Sequence, residues 1–258
     1  MTGHAAAHLC LLGGFQLLVG GLPVHVPVQA QRLLVLLAVR SAQPRSTLAG
    51  TLWGDIPESR AHAYLRNAIW RVRLASDSAL RCSRHTVGLA PTVTLDLDVA
   101  RSRAHAVLSR QSAAVRPDLI GVLDHDLLPS WDEEWLLIDR ERQRQLRLHA
   151  LEALSDALCR AGQYPDAIAA ALAAVRAEPL RESAQRTLIG AHLAEGNICE
   201  AVRQFDVYRR LLDDEMGIAP GRRLTAIVGD ALRTARTGIP RQGNLAGKAD
   251  VDYPRGGR

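Results

Sequence analysis

Between Arg60 and Arg73 the chain sets four arginines, an asparagine and a tryptophan at helical spacing. At about 100° per residue, Ala61, Leu65, Ile69 and Val72 share one face, and Ala63, Asn67 and Trp70 share the opposite one. Arg60 and Arg71 flank that second face on one side, Arg66 and Arg73 on the other. Guanidinium forks fit guanine O6/N7 or grip phosphate, and a carboxamide fits adenine N6/N7. An exposed indole stacks on sugar, meets a thymine methyl or packs against a neighbour. A helix about 16 residues long with this face can lie in the major groove. The alternative is a solvated arginine face with i,i+4 ion pairs. Only Glu58 and Asp77 lie near, however, so most of these arginines lack an acid within the chain, which favours a phosphate partner outside it. Arg84-His85, between two short β-prone runs, suits a hairpin tip on the backbone or in the minor groove, and Arg45 or Thr47 could hold a further phosphate.

These residues need a scaffold, and the first hundred residues read as β-β-α-α-α-β-β. Leu9–Leu12, Phe15–Val19 and Pro23–Pro27, punctuated by Gly13-Gly14 and Gly20-Gly21, predict a small three-stranded antiparallel sheet. Ala30–Ala42 has no Gly or Pro and reads as a buried helix. Ser46 or Thr47 is expected to cap a short second helix through Leu52-Trp53, and Ser59 a third that runs to about Ala75. Leu80–Ser83 and Val87–Leu89 predict a hairpin, and Val93–Leu97 closes the sheet.

Charge divides along the same line. Of the 32 cations only Lys248 is lysine, so nearly every positive group is a guanidinium fork. Residues 1–105 carry 11 Arg against 5 acids, whereas residues 106–240 carry 17 Arg against 20 acids. A basic module joined to a mildly acidic one implies a polyanion partner for the first only. A hydrophobic content of 47% excludes a wholly disordered chain, and four scattered cysteines exclude a disulfide scaffold. Cys10, Cys82, Cys159 and Cys199 form no C-x-x-C pair and no His pair sits at metal spacing, so no metal or cofactor is expected. The longest apolar run, Leu33–Val39, is far short of the ~20 residues that cross a bilayer, and no secretory signal is seen. A cytoplasmic, nucleoid-associated protein is expected.

The second module repeats with a period of 34: Gly162 with Gly196, Leu154 with Leu188, Ala157 with Ala191, Ala167 with Ala201, Ile168 with Val202. With Tyr164, Ala174 and Pro179, these are the spacings of tetratricopeptide helical hairpins, in which small residues let paired helices approach. Segments 133–160 and 221–235 would extend or cap the stack. Trp131 and Trp135 are expected to pack between the modules or on the stack, and Arg140–Arg147 to form a solvated helix face.

The short sheet, three helices and hairpin resemble the winged helix-turn-helix of OmpR/PhoB-type regulators. Leu52-Trp53-Gly54-Asp55-Ile56-Pro57, Arg66-Asn67-Ala68-Ile69, Arg71-Val72-Arg73-Leu74 and Asp96-Leu97-Asp98-Val99 look like segments of the Streptomyces antibiotic regulatory protein (SARP) family. The glycine-tyrosine pair frequent in that family's wing is replaced by Leu89-Ala90-Pro91, which alters the detailed shape of the wing. Trp131-Asp132-Glu133-Glu134-Trp135, Glu178-Pro179-Leu180-Arg181-Glu182, Glu195-Gly196-Asn197 and Gly217-Ile218-Ala219-Pro220-Gly221 resemble its bacterial transcriptional activation domain. The resemblance runs from about Leu9 to Leu232. It implies that the third helix reads DNA and that the loop Trp53, Gly54, Asp55, Ile56, Pro57 and Glu58 faces RNA polymerase holoenzyme. It also implies a side-by-side homodimer on double-stranded direct repeats and control of an antibiotic gene cluster.

The expected architecture is mainly α. A winged-helix domain with small antiparallel sheets (1–105) precedes an all-α tetratricopeptide-like domain (106–240) and a disordered tail (241–258). The expected function is a sequence-specific transcriptional activator. Its rivals are a protein-interaction scaffold and a regulator gated by a small molecule. No enzyme motif is present: Gly243–Lys248 is one residue short of a phosphate-binding loop and is followed by Ala249. G-x-S-x-G, H-E-x-x-H and G-x-G-x-x-G are absent.

Overall fold

A computed structural model describes residues 6–109 and 115–237. The tail expected from Arg241 lies outside these residues. The N-terminal head opens with β1 (Ala7–Cys10), β2 (Gln16–Val19) and β3 (Leu22–Pro23), paired antiparallel in turn. Three helices follow: α1 (Val28–Arg40), α2 (Arg45–Leu52) and α3 (Glu58–Ala75). Between α1 and α2 lies β4 (Gln43–Pro44), too short to show as alternation in the sequence. It pairs with β6 (Thr86–Leu89), which pairs with β5 (Leu80–Cys82) to make the wing.

β7 (Val93–Leu95) corrects the expectation of purely antiparallel sheets. It runs parallel to β1, giving the order β3-β2-β1-β7. A parallel neighbour needs a long crossover. The helices and wing between β1 and β7 supply it.

Helix entry is a second correction. Ser46, Thr47 and Ser59 cap nothing, because α1, α2 and α3 each start directly behind a proline, Pro27, Pro44 and Pro57. At α3, the Pro57 carbonyl accepts from the amides of Arg60 and Ala61, 2.9 and 3.0 Å away. The proline ring fixes φ at −55°, already close to the helical value, while a ψ of 138° keeps Pro57 itself outside the helix. The serines and threonine therefore sit one or two residues inside, exposed.

α1 is the core of the head: Leu33 through Ala38 are all buried, against Leu9, Leu11, Leu17, Leu48, Leu65 and Val72. From β7 the chain enters α4 (Asp96–Leu108), so the expected boundary at residue 105 falls inside a helix. Leu97 at its start packs in the head's core, and Ala104 and Val107 near its end pack in the next one.

The helical body comprises α5 (Leu119–Leu123), α6 (Leu137–Arg160), α7 (Tyr164–Ala177), α8 (Glu182–Glu195), α9 (Ile198–Met216) and α10 (Arg222–Thr237). The 34-residue period is visible in its packing. Leu154 and Leu188 are buried at matching places, as are Ala167 and Ala201. Gly162 and Gly196 turn the two hairpins at φ +73° and +93°, a region that glycine enters without a Cβ penalty. α10 closes the stack with Leu224 and Val228 against Tyr208 and Leu212.

Candidate nucleic-acid interface

α3 is amphipathic in the way its sequence requires. Ala61, Leu65, Ala68, Ile69 and Val72 are buried in the head. Arg60, Ala63, Arg66, Asn67, Trp70, Arg71 and Arg73 are all exposed. Among the described residues, the carboxylate contact on this helix is that of Glu58 Oε1 with His62 Nε2 at 3.5 Å, on its first turn. Thus none of its four arginines is neutralised by a carboxylate among those residues. The Arg71 guanidinium stands over the Trp70 ring, 4.8 Å from its centre, where the π face attracts the cation.

The apolar content of this face is larger than the residues singled out from sequence. Trp70 is 54% exposed, and Leu74, one turn on, is 68% exposed. A helical wheel places Leu74 beside Trp70, so the signal was present in the sequence. Tyr64 is also exposed, and its ring lies 6.1 Å from that of Trp53. Exposed apolar groups on a cationic helix suit base edges, above all thymine methyls.

The wing tip is built by one side chain. Ser83 Oγ accepts from the amides of His85 and Thr86 at 3.2 and 2.9 Å and bonds the Thr86 hydroxyl at 2.8 Å. This local hydroxyl turn fixes the backbone and leaves Arg84 and His85 projecting, both exposed. Arg45 stands behind them. Its amide donates to the His85 carbonyl at 2.9 Å, and its guanidinium donates to the Ser83 carbonyl at 3.2 Å. One Nη of Arg45 therefore braces the wing. Thr47 is exposed on the first turn of α2.

The loop before α3 has an inside and an outside. Trp53 is buried, and its indole N–H donates to Gln29 Oε1 at 3.0 Å. Ile56 packs against the head's core. Gly54 is obligatory, since a Cβ there would stand 2.8 Å from the Gly50 carbonyl oxygen. Asp55, Pro57 and Glu58 are left facing outward on this anchored loop.

Among the described residues, no group of three His, Cys, Asp or Glu side chains could hold a metal ion. Nor is any described helix long and apolar enough to cross a membrane.

Known proteins bear on this arrangement. The bacterial transcriptional activator domain matches residues 120–232. Regulatory protein AfsR of Streptomyces griseus is 30% identical over 222 residues, covering 80% of this chain and 22% of that protein. Regulatory protein AfsR of Streptomyces coelicolor is 31% identical over 208 residues, covering 74% of this chain and 20% of that one. Residues 120–232 thus belong to the bacterial transcriptional activator domain family, and the chain is similar to regulators of the Streptomyces antibiotic regulatory protein type. The chain spans about a fifth of the length of these relatives. Its fold resembles that of Mycobacterium tuberculosis EmbR, solved in complex with a low-affinity phosphopeptide. The TM-score is 0.70 at 20% identity, covering 89% of this chain and 66% of that one. The shared fold thus extends across head and body together.

Proposed function

We propose that this chain is a sequence-specific DNA-binding activator that docks α3 in the major groove. The observation that carries this reading is the outward face of α3: four arginines without an acid partner among the described residues, around Asn67, Trp70 and Leu74, on a winged-helix head joined to an activator domain. Arg60, Arg66, Asn67, Trp70 and Arg71 contact bases and adjacent phosphates, with Ala63 and Arg73 at the margins of the same face. Arg84 and His85 reach the backbone or minor groove, and Thr47, with the free part of the Arg45 fork, meets a phosphate. Two copies bind side by side on direct repeats. The outward loop residues Asp55, Pro57 and Glu58, held by Trp53, Gly54 and Ile56, recruit RNA polymerase holoenzyme. The regulated genes are those of a secondary-metabolite cluster.

The test uses the full chain and duplexes selected from a random library. Binding should weaken steeply as salt rises from 50 to 200 mM, by about a thousandfold or more for six or more phosphate contacts. Asn67→Ala should cost ~1–3 kcal/mol at a single base position and nothing elsewhere in the site. Salt-insensitive binding, or none, overturns the reading.

The loop makes a separate prediction. Replacing Asp55 and Glu58 together by Ala leaves DNA affinity unchanged, because neither lies on the basic face, and lowers run-off transcription from a bound promoter. Equal loss of both activities would refute a recruiting role for the loop.

A further inference from the structure

After α5 the chain does not continue directly into the helical body. Residues 124–135 run back along the head. The Gly13 amide donates to the Asp126 carbonyl at 2.7 Å, the Leu128 amide donates to the Leu11 carbonyl at 3.0 Å, and Leu12 and Leu127 form an antiparallel bridge. Leu127, Leu128 and Leu136 are buried in the head's core, and Trp131 stacks on Phe15 at 6.2 Å between ring centres. Leu128 adopts φ +45°, a region costly for a branched side chain and kept only where surroundings impose it.

Those surroundings are arginines from both sides. From the body, Arg140 on α6 donates through Nε to the Leu127 carbonyl at 3.2 Å. Its Nη2 donates to the carbonyls of Leu128 and Trp131 at 2.9 and 2.6 Å. Two turns on, Arg147, only 3% exposed, pairs with Asp126 at 2.7 Å. Burial pushes the Arg147 pKa down, while Asp126 and Asp124 push it back up. On α7, Arg176 meets Asp124 at 2.9 Å. From the head, Arg32 on α1 pairs with Glu133 at 2.6 Å, and Arg40 pairs with Asp139 at 3.2 Å while donating to the Trp135 carbonyl. The expectation that Arg140–Arg147 forms a solvated face is thereby corrected: Arg140 and Arg147 point inward, and Gln143 between them is buried and accepts from Arg101 of α4.

We infer that Arg140 and Arg147 are positioning residues: they clamp residues 126–131 between head and body, so that α3 and the helical stack keep one relative orientation. A forked donor on three strap carbonyls, those of Leu127, Leu128 and Trp131, fixes an angle as well as a distance, which a single flexible ammonium does not do. Buried ion pairs add little net stability against apolar replacements, so their role here is to select one arrangement over others. The orientation itself stands independently of DNA binding, and only the second arm of the test rests on the proposed function.

The test places nitroxide labels on Leu22→Cys, exposed in the head, and on native Cys199, exposed in the body, with Cys10, Cys82 and Cys159 replaced by Ala. Electron–electron distance measurements on the full chain should give one narrow distribution. Arg140→Gln should roughly double its width while helix content stays unchanged. Arg140→Lys should broaden it too, because the charge is kept and the fork is lost. A broad distribution without the Arg140 change, or narrow ones in both variants, overturns the inference. In the second arm, Arg140→Lys binds a single DNA site as tightly as the parent chain and loses transcription from a two-site promoter. Broadened distances without DNA binding by any form would leave the clamp standing and refute the DNA-binding reading.

Discussion

A head fragment ending at Ser109, after α4, will unfold far more readily than the head within the whole chain. It retains every element of the winged helix, but it loses Leu127, Leu128 and Leu136 from the core, together with the covering rings of Trp131 and Trp135. Burial of one leucine contributes ~1.5–3 kcal/mol, so three contribute ~5–9 kcal/mol. The whole stability of a domain is only ~5–15 kcal/mol. Two backbone groups, the Gly13 amide and the Leu11 carbonyl, also lose their partners. Urea denaturation of fragments 6–109 and 6–160 measures the difference. The longer fragment, which restores the strap and the α6 arginines, should unfold cooperatively at a clearly higher urea midpoint. Equal midpoints would show that the strap leucines only cover a head that is stable alone.

The second large effect rests on one carboxylate. Asp96 begins α4, and its two oxygens accept from three backbone amides. The Leu11 amide lies 2.9 Å from both oxygens, the Leu12 amide is at 2.9 Å and the Leu97 amide at 2.7 Å. Leu11 and Leu12 lie just past β1, so this single side chain ties the start of the chain to the exit from the wing. Asp96→Ala strands part-buried donors on Leu11 and Leu12, each worth ~1–3 kcal/mol when left unpaired. It also removes a negative charge from the N-terminus of α4, where the helix dipole favours one. A total loss of ~2–5 kcal/mol is expected. For a domain of about 100 residues, each kcal/mol lowers the melting temperature by ~4–8 °C, so calorimetry will resolve it. Asp96→Asn keeps one acceptor and should lose about half as much. If Asp96→Ala melts within 2 °C or so of the parent, the three contacts are incidental.

Local periodicity was readable from the sequence, and long-range pairing was not. The α3 faces follow from residue spacing alone, because a helix of 18 residues repeats its pattern several times. The body's hairpins follow from a 34-residue repeat in which Leu154 and Leu188, or Ala167 and Ala201, serve identical packing positions. β4 escaped because two residues carry no alternation, and β7 joined β1 in parallel because nothing local encodes a partner 86 residues away. The strap escaped for the same reason. Arg140 and Arg147 have the composition of a solvated helix face, and only their tertiary partners, the strap carbonyls and Asp126, turn them inward. From sequence Arg45 reads as one more phosphate ligand, and nothing local signals the bond it donates to the Ser83 carbonyl.

The return of residues 124–135 to the head has a consequence during synthesis. The ribosome adds ~5–20 residues per second, and domains near the N-terminus ordinarily fold first. Here Leu12 is made roughly a hundred residues before its bridge partner Leu127, many seconds at the slower rates. Until then the head carries an uncovered apolar floor next to free backbone groups, the kind of surface that invites pairing with another chain. The nascent protein thus passes through an interval in which α3 is complete and the core of the head is not. A chain that stalls or is truncated in that interval exposes this surface to chaperones and proteases.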